Sequence, residues 1–303
     1  MSRPTLPRRV KVVEVGPRDG LQNEQAAIDT ATKVQFIDRL AEAGLPVVEI
    51  TAFVSPKWVP QMADAREVAR AAARRPGVRF SALVPNRRGL DAAIECGLDH
   101  VAVFAAASET FSQRNINQSI AESMRNYAEV TAAARAQGLA VRAYLSTSFG
   151  CPYEGHVPVE RVVELSAALI DMGAEEVAVS DTIGVAHPGQ VVDVVEAVSA
   201  RAPIGQIALH FHDTRGTALA NVYAGLECGV ATFDSSAGGL GGCPYAPGAA
   251  GNLATEDLIY LLDGLGIETG VKLDTVVAAS RLIAPHLGHA LPSRYLQAAN
   301  RQS

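Results

Sequence analysis

Short apolar runs alternate along the chain with longer stretches in which apolar residues recur every three or four positions. The short runs fit strands buried on both faces and the longer ones fit helices that cover them, so the pattern predicts a parallel sheet sheathed in helices. Strands are predicted at 12–15 (VVEV), 47–53 (VVEITAF), 79–84, 100–106, 140–146, 176–181, 207–212 and 232–236. Helices are predicted at 30–43, 63–75, 87–96, 119–137, 158–172, 187–200 and 215–228. Several end at a glycine (Gly44, Gly97, Gly138, Gly173, Gly229), the residue that adopts a left-handed cap at least cost. Eight strands, each followed by a helix, predict an α/β fold closed into a single (β/α)8 barrel of the TIM type. A final pair of helices, 253–265 and 274–287, would lie outside it or across one end. No linker, low-complexity segment or charge block interrupts the pattern, so 1–303 reads as one catalytic domain. An open doubly wound sheet is the second choice, but no GxGxxG follows the first strand.

Composition narrows the function classes. The 303 residues are 48% hydrophobic and 19% charged, and the net charge of −6 is spread along the chain. That balance gives no footprint for nucleic acid or an anionic membrane. The basic start (Arg3, Arg8, Arg9) is too short for a binding arm and lacks the apolar core of a signal peptide. No apolar stretch reaches the roughly 18 residues needed to span a bilayer. Cys96, Cys151, Cys228 and Cys243 are scattered without a CxxC pair, which fits free thiols in a reducing cytoplasm.

In such barrels, functional side chains sit at the carboxyl ends of the strands. The seventh strand ends His210-Phe211-His212-Asp213, and alternation puts both imidazoles on one face. A single histidine there would read as a hydrogen-bonded core residue; two at this spacing point to a metal. The first strand leads into Arg18-Asp19-Gly20, where Asp19 is either a turn former or a ligand. Asn252 follows a glycine-rich loop and precedes a helical pattern, so it is either an N-cap or a further oxygen donor. Convergence of Asp19, His210, His212 and Asn252 on one barrel end favours a hard divalent ion, Mg2+ or Mn2+. A two-histidine, one-carboxylate Fe(II) oxygenase site is the chemical alternative.

The loop AGGLGGCPYAPGAAGN (237–252) lacks the GK[ST] of a Walker loop, and its glycines permit close backbone approach to a ligand and hinge motion. Cys243, in the middle of a polar loop over the barrel mouth, reads as a proton donor or acceptor rather than a buried hydrophobe. Arg18 is placed either to hold an anionic oxygen or to lie on the surface. Glu49 interrupts VVEITAF, where an unpaired charge is costly, so it pairs with Arg18 or another mouth residue or occupies an exposed bulge. Asp181, ending the sixth strand in SDTIG, either orients a ligand histidine, positions substrate or caps the next turn.

The segments VEVGPRDGLQNE (13–24), TAFVSPKWVPQMAD (51–64), AASETFSQRNIN (106–117), GCPYEG (150–155), SDTIGVAHPG (180–189), HFHDT (210–214) and GGLGGCPYAPGAAGNLATED (238–257) run in order through most of the chain. Together they resemble the 3-hydroxy-3-methylglutaryl-CoA lyase family of metal-dependent acyl-CoA lyases and synthases on TIM barrels. The last loop is the most specific piece. Related synthases read RDGEQ where this chain has Arg18-Asp19-Gly20-Leu21-Gln22, and they carry an extra C-terminal domain for which 303 residues leave no room. The resemblance implies metal ligands at Asp19, His210, His212 and Asn252, a substrate arginine at Arg18 and an active-site cysteine at Cys243. It also implies an acyl-CoA substrate and a homo-oligomer, a dimer. Arg215 stands where some relatives have Tyr, and Ala237-Gly238 where others have Val-Ala; both bear on preference for the substrate's tail.

The implied reaction splits 3-hydroxy-3-methylglutaryl-CoA into acetoacetate and acetyl-CoA, as in leucine breakdown. His212, Asp19 or a metal-bound water would take the hydroxyl proton, Arg18 would stabilise the enolate, and Cys243 would protonate it. A lyase for a bulkier 3-alkyl substrate, an acetyl-CoA-condensing synthase and a non-catalytic acyl-CoA-binding barrel remain as other readings.

Overall fold

The computed structural model describes residues 5–241 and 251–301. Strands and helices alternate in the order β1 (Lys11–Glu14), α1 (Thr30–Glu42), β2 (Val47–Ala52), α2 (Ala65–Ala71), β3 (Arg79–Leu83), α3 (Arg87–Glu95), β4 (His100–Ala106), α4 (Glu109–Ile116) and α5 (Ile120–Ala136). They continue as β5 (Ala140–Ser146), α6 (Val159–Asp171), β6 (Glu176–Asp181), α7 (Pro188–Ser199), β7 (Ile207–Phe211), α8 (Ala218–Glu227), β8 (Thr232–Ser235), α9 (Thr255–Gly264), α10 (Leu273–Ile283) and α11 (Arg294–Asn300). The eight strands pair in parallel in chain order, and β8 closes on β1 with Val13 opposite Asp234. The predicted barrel is therefore the fold.

Local chemistry sets the boundaries. Asp29, Asn86 and Ser108 cap α1, α3 and α4 through their side-chain oxygens, and Ser119 with Glu122 forms a capping box on α5. The five glycines expected to end helices all lie at positive φ. The helix predicted over 63–75 is shorter because Ala72 turns out of the helical region (φ −60°, ψ 125°) and the Ala73 N–H goes to the Asp38 carboxylate at 3.0 Å. β7 stops one residue early because the returning segment 251–253 takes its last hydrogen bonds: Leu253 N donates to Phe211 O at 3.0 Å and Asp213 N to Gly251 O at 2.7 Å. α4 and α11 were not anticipated. Asp257 secures α11 to α9 by accepting from Ser293 Oγ and from the Arg294 and Tyr295 N–H groups.

The apolar core lies mainly between strands and helices, in one continuous cluster that includes Val12, Phe36, Ile50, Val101, Leu209 and Phe233. Inside the barrel the only separate apolar cluster among the described residues is Val13, Val15 and Val47. Much of the remaining interior is charged. Lys11 of β1 reaches Glu176 of β6 at 2.6 Å, Arg142 of β5 reaches Asp234 of β8 at 2.6 Å, and Tyr144 of β5 reaches Glu49 of β2 at 3.0 Å. In each of these three contacts the two strands are not neighbours in the barrel, so the contacts cross the lumen. Among the described residues no helix is long and apolar enough to cross a membrane.

Candidate active site

The chain leaves β1 through a five-residue π turn, Gly16–Gly20. The Arg18, Asp19 and Gly20 N–H groups all donate to Val15 O, at 3.2, 2.7 and 3.2 Å. This curl, a geometry enriched at functional sites, carries two charged side chains over the barrel mouth. Asp19, His210 and His212 thereby bring one donor atom each within 4.8 Å of one another, and the two imidazole centroids are 5.2 Å apart. Asn252 arrives on the segment that bridges to His212. Its Nδ2 donates to Asp19 Oδ2 at 2.9 Å and Leu240 O at 3.1 Å, which leaves Oδ1 buried with no partner among the described residues. Gly241 sits against this amide at φ +110°, and a Cβ there would lie 2.8 Å from Asn252 Nδ2. The four residues singled out from the sequence thus meet at one end of the barrel.

The donor set fits a divalent cation. His212 Nδ1 and Asn252 Oδ1 are buried without hydrogen-bond partners among the described residues, and such atoms are costly unless something else occupies them. Two imidazoles, a carboxylate and an amide oxygen are ligands that magnesium, manganese or ferrous ions accept.

A family model described as HMGL-like matches residues 9–283. This chain belongs to the HMGL-like family. It is 53% identical to the hydroxymethylglutaryl-CoA lyase of Bacillus subtilis over 96% of this chain and 97% of that one. The crystal structure of hydroxymethylglutaryl-CoA lyase from Pseudomonas aeruginosa superposes with a TM-score of 0.96 at 51% identity, covering 98% of this chain and 99% of that one. An HMG-CoA lyase from Acinetobacter baumannii, in complex with coenzyme A and 3-methylmalate, matches with a TM-score of 0.91 at 36% identity, over 96% and 95% of the two chains.

Charge is tightly managed at this HMGL-like mouth. Arg18, 5% exposed, pairs through Nε with Glu49 and through Nη1 with Asp19 Oδ1 at 2.6 Å, and its guanidinium lies 5.3 Å from the Tyr144 ring centre. Burial works against the guanidinium charge, but Glu49 and Asp19 outweigh it and hold Arg18 above its ordinary pKa. Burial likewise opposes ionisation of Asp19, while Arg18 and the two histidines bring its carboxyl down to about 2. Burial, then His210 beside it, pushes His212 down to about 3, so this imidazole is neutral around pH 7. Glu49 is 1% exposed and paired with Arg18, which is the first of its two readings; the β2–β3 register does shift just after it, between Glu49 and Thr51, but the position is buried rather than exposed.

Asp181 is a turn cap. Its carboxylate accepts from Val185 N at 2.9 Å and Ala186 N at 3.0 Å, and it makes no hydrogen bond to either histidine among the described residues. Arg215 donates to Ile183 O and Gly184 O, bracing the same turn. Cys243 lies outside the described residues, as does most of the glycine-rich loop. The stems of that loop are well anchored: Ser236 N donates to Leu253 O at 2.9 Å, Ala237 N to Glu14 Oε1 at 2.9 Å, and Gly238 N to Glu256 Oε2 at 2.8 Å. Cys96, Cys151 and Cys228 are free thiols, as their spacing implied.

Sequence reasoning missed the residues behind the site. Asp234 Oδ2 is 3.1 Å from His210 Nδ1, Arg142 holds Asp234, and Tyr144 hydrogen-bonds Glu49. The signal was present. The rule that singled out Glu49, a charge inside an apolar strand run, applies equally to Arg142 in AVRAYLS and Asp234 in TFDSS.

Proposed function

We infer that this protein is a carbon–carbon lyase that cleaves 3-hydroxy-3-methylglutaryl-CoA to acetoacetate and acetyl-CoA. The observation that carries the reading is the juxtaposition of Asp19, His210, His212 and Asn252 beside a buried, permanently charged Arg18 in a chain about half identical, end to end, to hydroxymethylglutaryl-CoA lyases. The coenzyme A bound to the Acinetobacter relative supports an acyl-CoA substrate. The closed barrel with its C-terminal helices supports treating 1–303 as one catalytic domain, and the scattered free thiols support a reducing, cytoplasmic setting.

Asp19, His210, His212 and the free Oδ1 of Asn252 would hold Mg2+ or Mn2+. When bound, that ion supplies Lewis acidity, lowering the cost of ionising the substrate's tertiary hydroxyl. The hydroxyl proton leaves to a base, and the bond from the carbinol carbon to the carbon alpha to the thioester breaks. The carbinol becomes the ketone of acetoacetate, and the electron pair passes to the thioester as an enolate. Arg18 sits at the site as a preorganised positive partner for that enolate oxygen. Cys243 donates the proton that completes acetyl-CoA. A neutral imidazole has one lone pair, so His212 cannot ligate an ion and accept a proton at the same time. Both Asp19 oxygens already accept hydrogen bonds, from Arg18 and Asn252. The base is therefore a question for His212→Gln and Asp19→Asn, comparing ion affinity with rate.

The test is product analysis with purified protein, Mg2+ and a series of 3-hydroxy-3-alkylglutaryl-CoA esters. Acetoacetate and acetyl-CoA in equal amounts from the 3-methyl ester, lost on chelation and restored by Mg2+ or Mn2+, are expected. Acetyl-CoA consumption with a keto acid, or an O2-dependent reaction requiring Fe(II), would overturn the reading. Cys243→Ala should lose most turnover while retaining ion affinity. Light scattering of the purified protein checks the dimer.

A further inference from the structure

The two ligand-type histidines look equivalent in the sequence but differ in what stands behind them. His212 Nδ1 is buried with no partner among the described residues, so none of them dictates which of its nitrogens carries the proton. His210 sits directly opposite Asp234 in the β7–β8 register, with Nδ1 3.1 Å from Asp234 Oδ2. An aspartate carboxylate can only accept hydrogen bonds, so His210 must donate through Nδ1, which leaves the Nε2 lone pair exposed. Tyr144 stands edge-on against the His210 ring, at 6.2 Å and 86°, and limits its rotation.

Asp234 is itself immobilised. It is 1% exposed, and Arg142 grips both of its oxygens, Nη2 to Oδ1 at 2.6 Å and Nη1 to Oδ2 at 3.1 Å. Arg142 Nε donates to Glu176 Oε1 at 2.8 Å, and Lys11 Nζ donates to Glu176 Oε2 at 2.6 Å. The relay thus runs from Lys11, at the opposite end of the barrel, across the lumen to His210. A fork-to-fork guanidinium–carboxylate pair fixes orientation as well as charge.

We propose that Asp234, clamped by Arg142, is a positioning residue that locks His210 in the Nδ1–H tautomer and aims Nε2 at the cation, while His212 is oriented by the ion itself. This proposal rests on the metal site described above, and its test separates the two. In metal-free protein labelled with 15N-histidine, long-range 15N–1H spectra should show His210, assigned by its loss in His210→Gln, as the Nδ1–H tautomer. Asp234→Asn can offer an amide N–H to Nδ1 and so favour the opposite tautomer. Its Mn2+ dissociation constant, read from the free-Mn2+ electron paramagnetic resonance signal, should rise about 10–100-fold. The circular dichroism spectrum of the same sample shows whether the variant is folded. Wild-type protein that binds no Mn2+ would overturn both the site and the positioning role. An Asp234→Asn variant that binds Mn2+ within twofold of wild type would overturn the positioning role alone. If that variant does not fold, the wild-type spectrum still decides, because an Nε2–H His210 contradicts the proposal.

Discussion

Two groups of carboxylates are buried equally deeply but differ in the groups that stand beside them. In the barrel lumen, Glu49, Asp234 and Glu176 each contact an arginine, and the Asp234 carboxyl is held below its ordinary pKa despite burial, chiefly by Arg142. Behind the glycine-rich loop, Glu14 and Glu256 are fully buried with no cation within salt-bridge distance among the described residues. They are held by neutral donors instead. Glu14 accepts from Gly16 N, Ala237 N and Thr255 Oγ1; Glu256 accepts from Gly238 N and Ser280 Oγ. Desolvation dominates there and lifts Glu14 to about 8 and Glu256 to about 7. Between Asp234 on one side and Glu14 and Glu256 on the other, the proximity of a guanidinium rather than depth of burial sets the direction of the shift. Guanidinium groups stand in the lumen beside the candidate metal site, whereas the loop stems meet their carboxyls with neutral donors only.

The comparison breaks most sharply at Arg142. Arg142→Met removes the cation and leaves Asp234 and Glu176 buried and unpaired, so urea unfolding should show a loss of about 3–5 kcal/mol. Adding Asp234→Asn and Glu176→Gln should recover part of it. A loss below ~1 kcal/mol would mean the lumen tolerates unpaired carboxylates as the loop stems do.

The next effect is on the alkaline side. The folded pKa of Glu14 exceeds its unfolded value of 4.5, so its stabilising contribution is complete below pH 4.5 and is lost as pH rises to about 8. The shift amounts to a few kcal/mol, on the order of 1.4 per pH unit. Glu14→Gln, whose amide oxygen can still accept both backbone N–H groups, should flatten the fall in melting temperature between pH 5 and 9. It should also exceed wild type in stability above pH 8. A parallel pH profile would show that Glu14 is ionised in the folded protein.

On the acid side, the folded pKa of His212, about 3, lies below its unfolded value of 6.5. The His212 contribution is therefore full above pH 6.5 and declines as pH falls toward 3, by about 1 kcal/mol for the first unit. His212→Gln should remove that part of the acid slope in metal-free protein. The smallest effect belongs to exposed pairs such as Arg87–Asp91, where Asp91→Ala should change stability by less than ~0.5 kcal/mol.

Much of this was legible in the sequence because strand periodicity and barrel geometry are local rules. The His210–His212 alternation, the barrel closure and Asp19 at the end of β1 followed directly. The π turn that aims Arg18 and Asp19 depends on three N–H groups sharing Val15 O, which residue types alone do not encode. Asp181, ending a strand at the right level, leaves three roles open in the sequence: orienting a ligand histidine, positioning substrate or capping the next turn. Its two hydrogen bonds to the 185–186 backbone show that strand level alone does not decide direction. Asp234 was overlooked because its partners, Arg142 and His210, are 92 and 24 residues away in the chain. Such a pairing becomes visible only once the barrel closes.

The central claim is that Asp19, His210, His212 and Asn252 share one cation in the working enzyme. Manganese soaked into crystals of the active protein should give a single strong anomalous peak inside the barrel mouth, bounded by those four side chains. A peak elsewhere, or none in crystals whose dissolved protein still cleaves 3-hydroxy-3-methylglutaryl-CoA in chelator, would contradict the account.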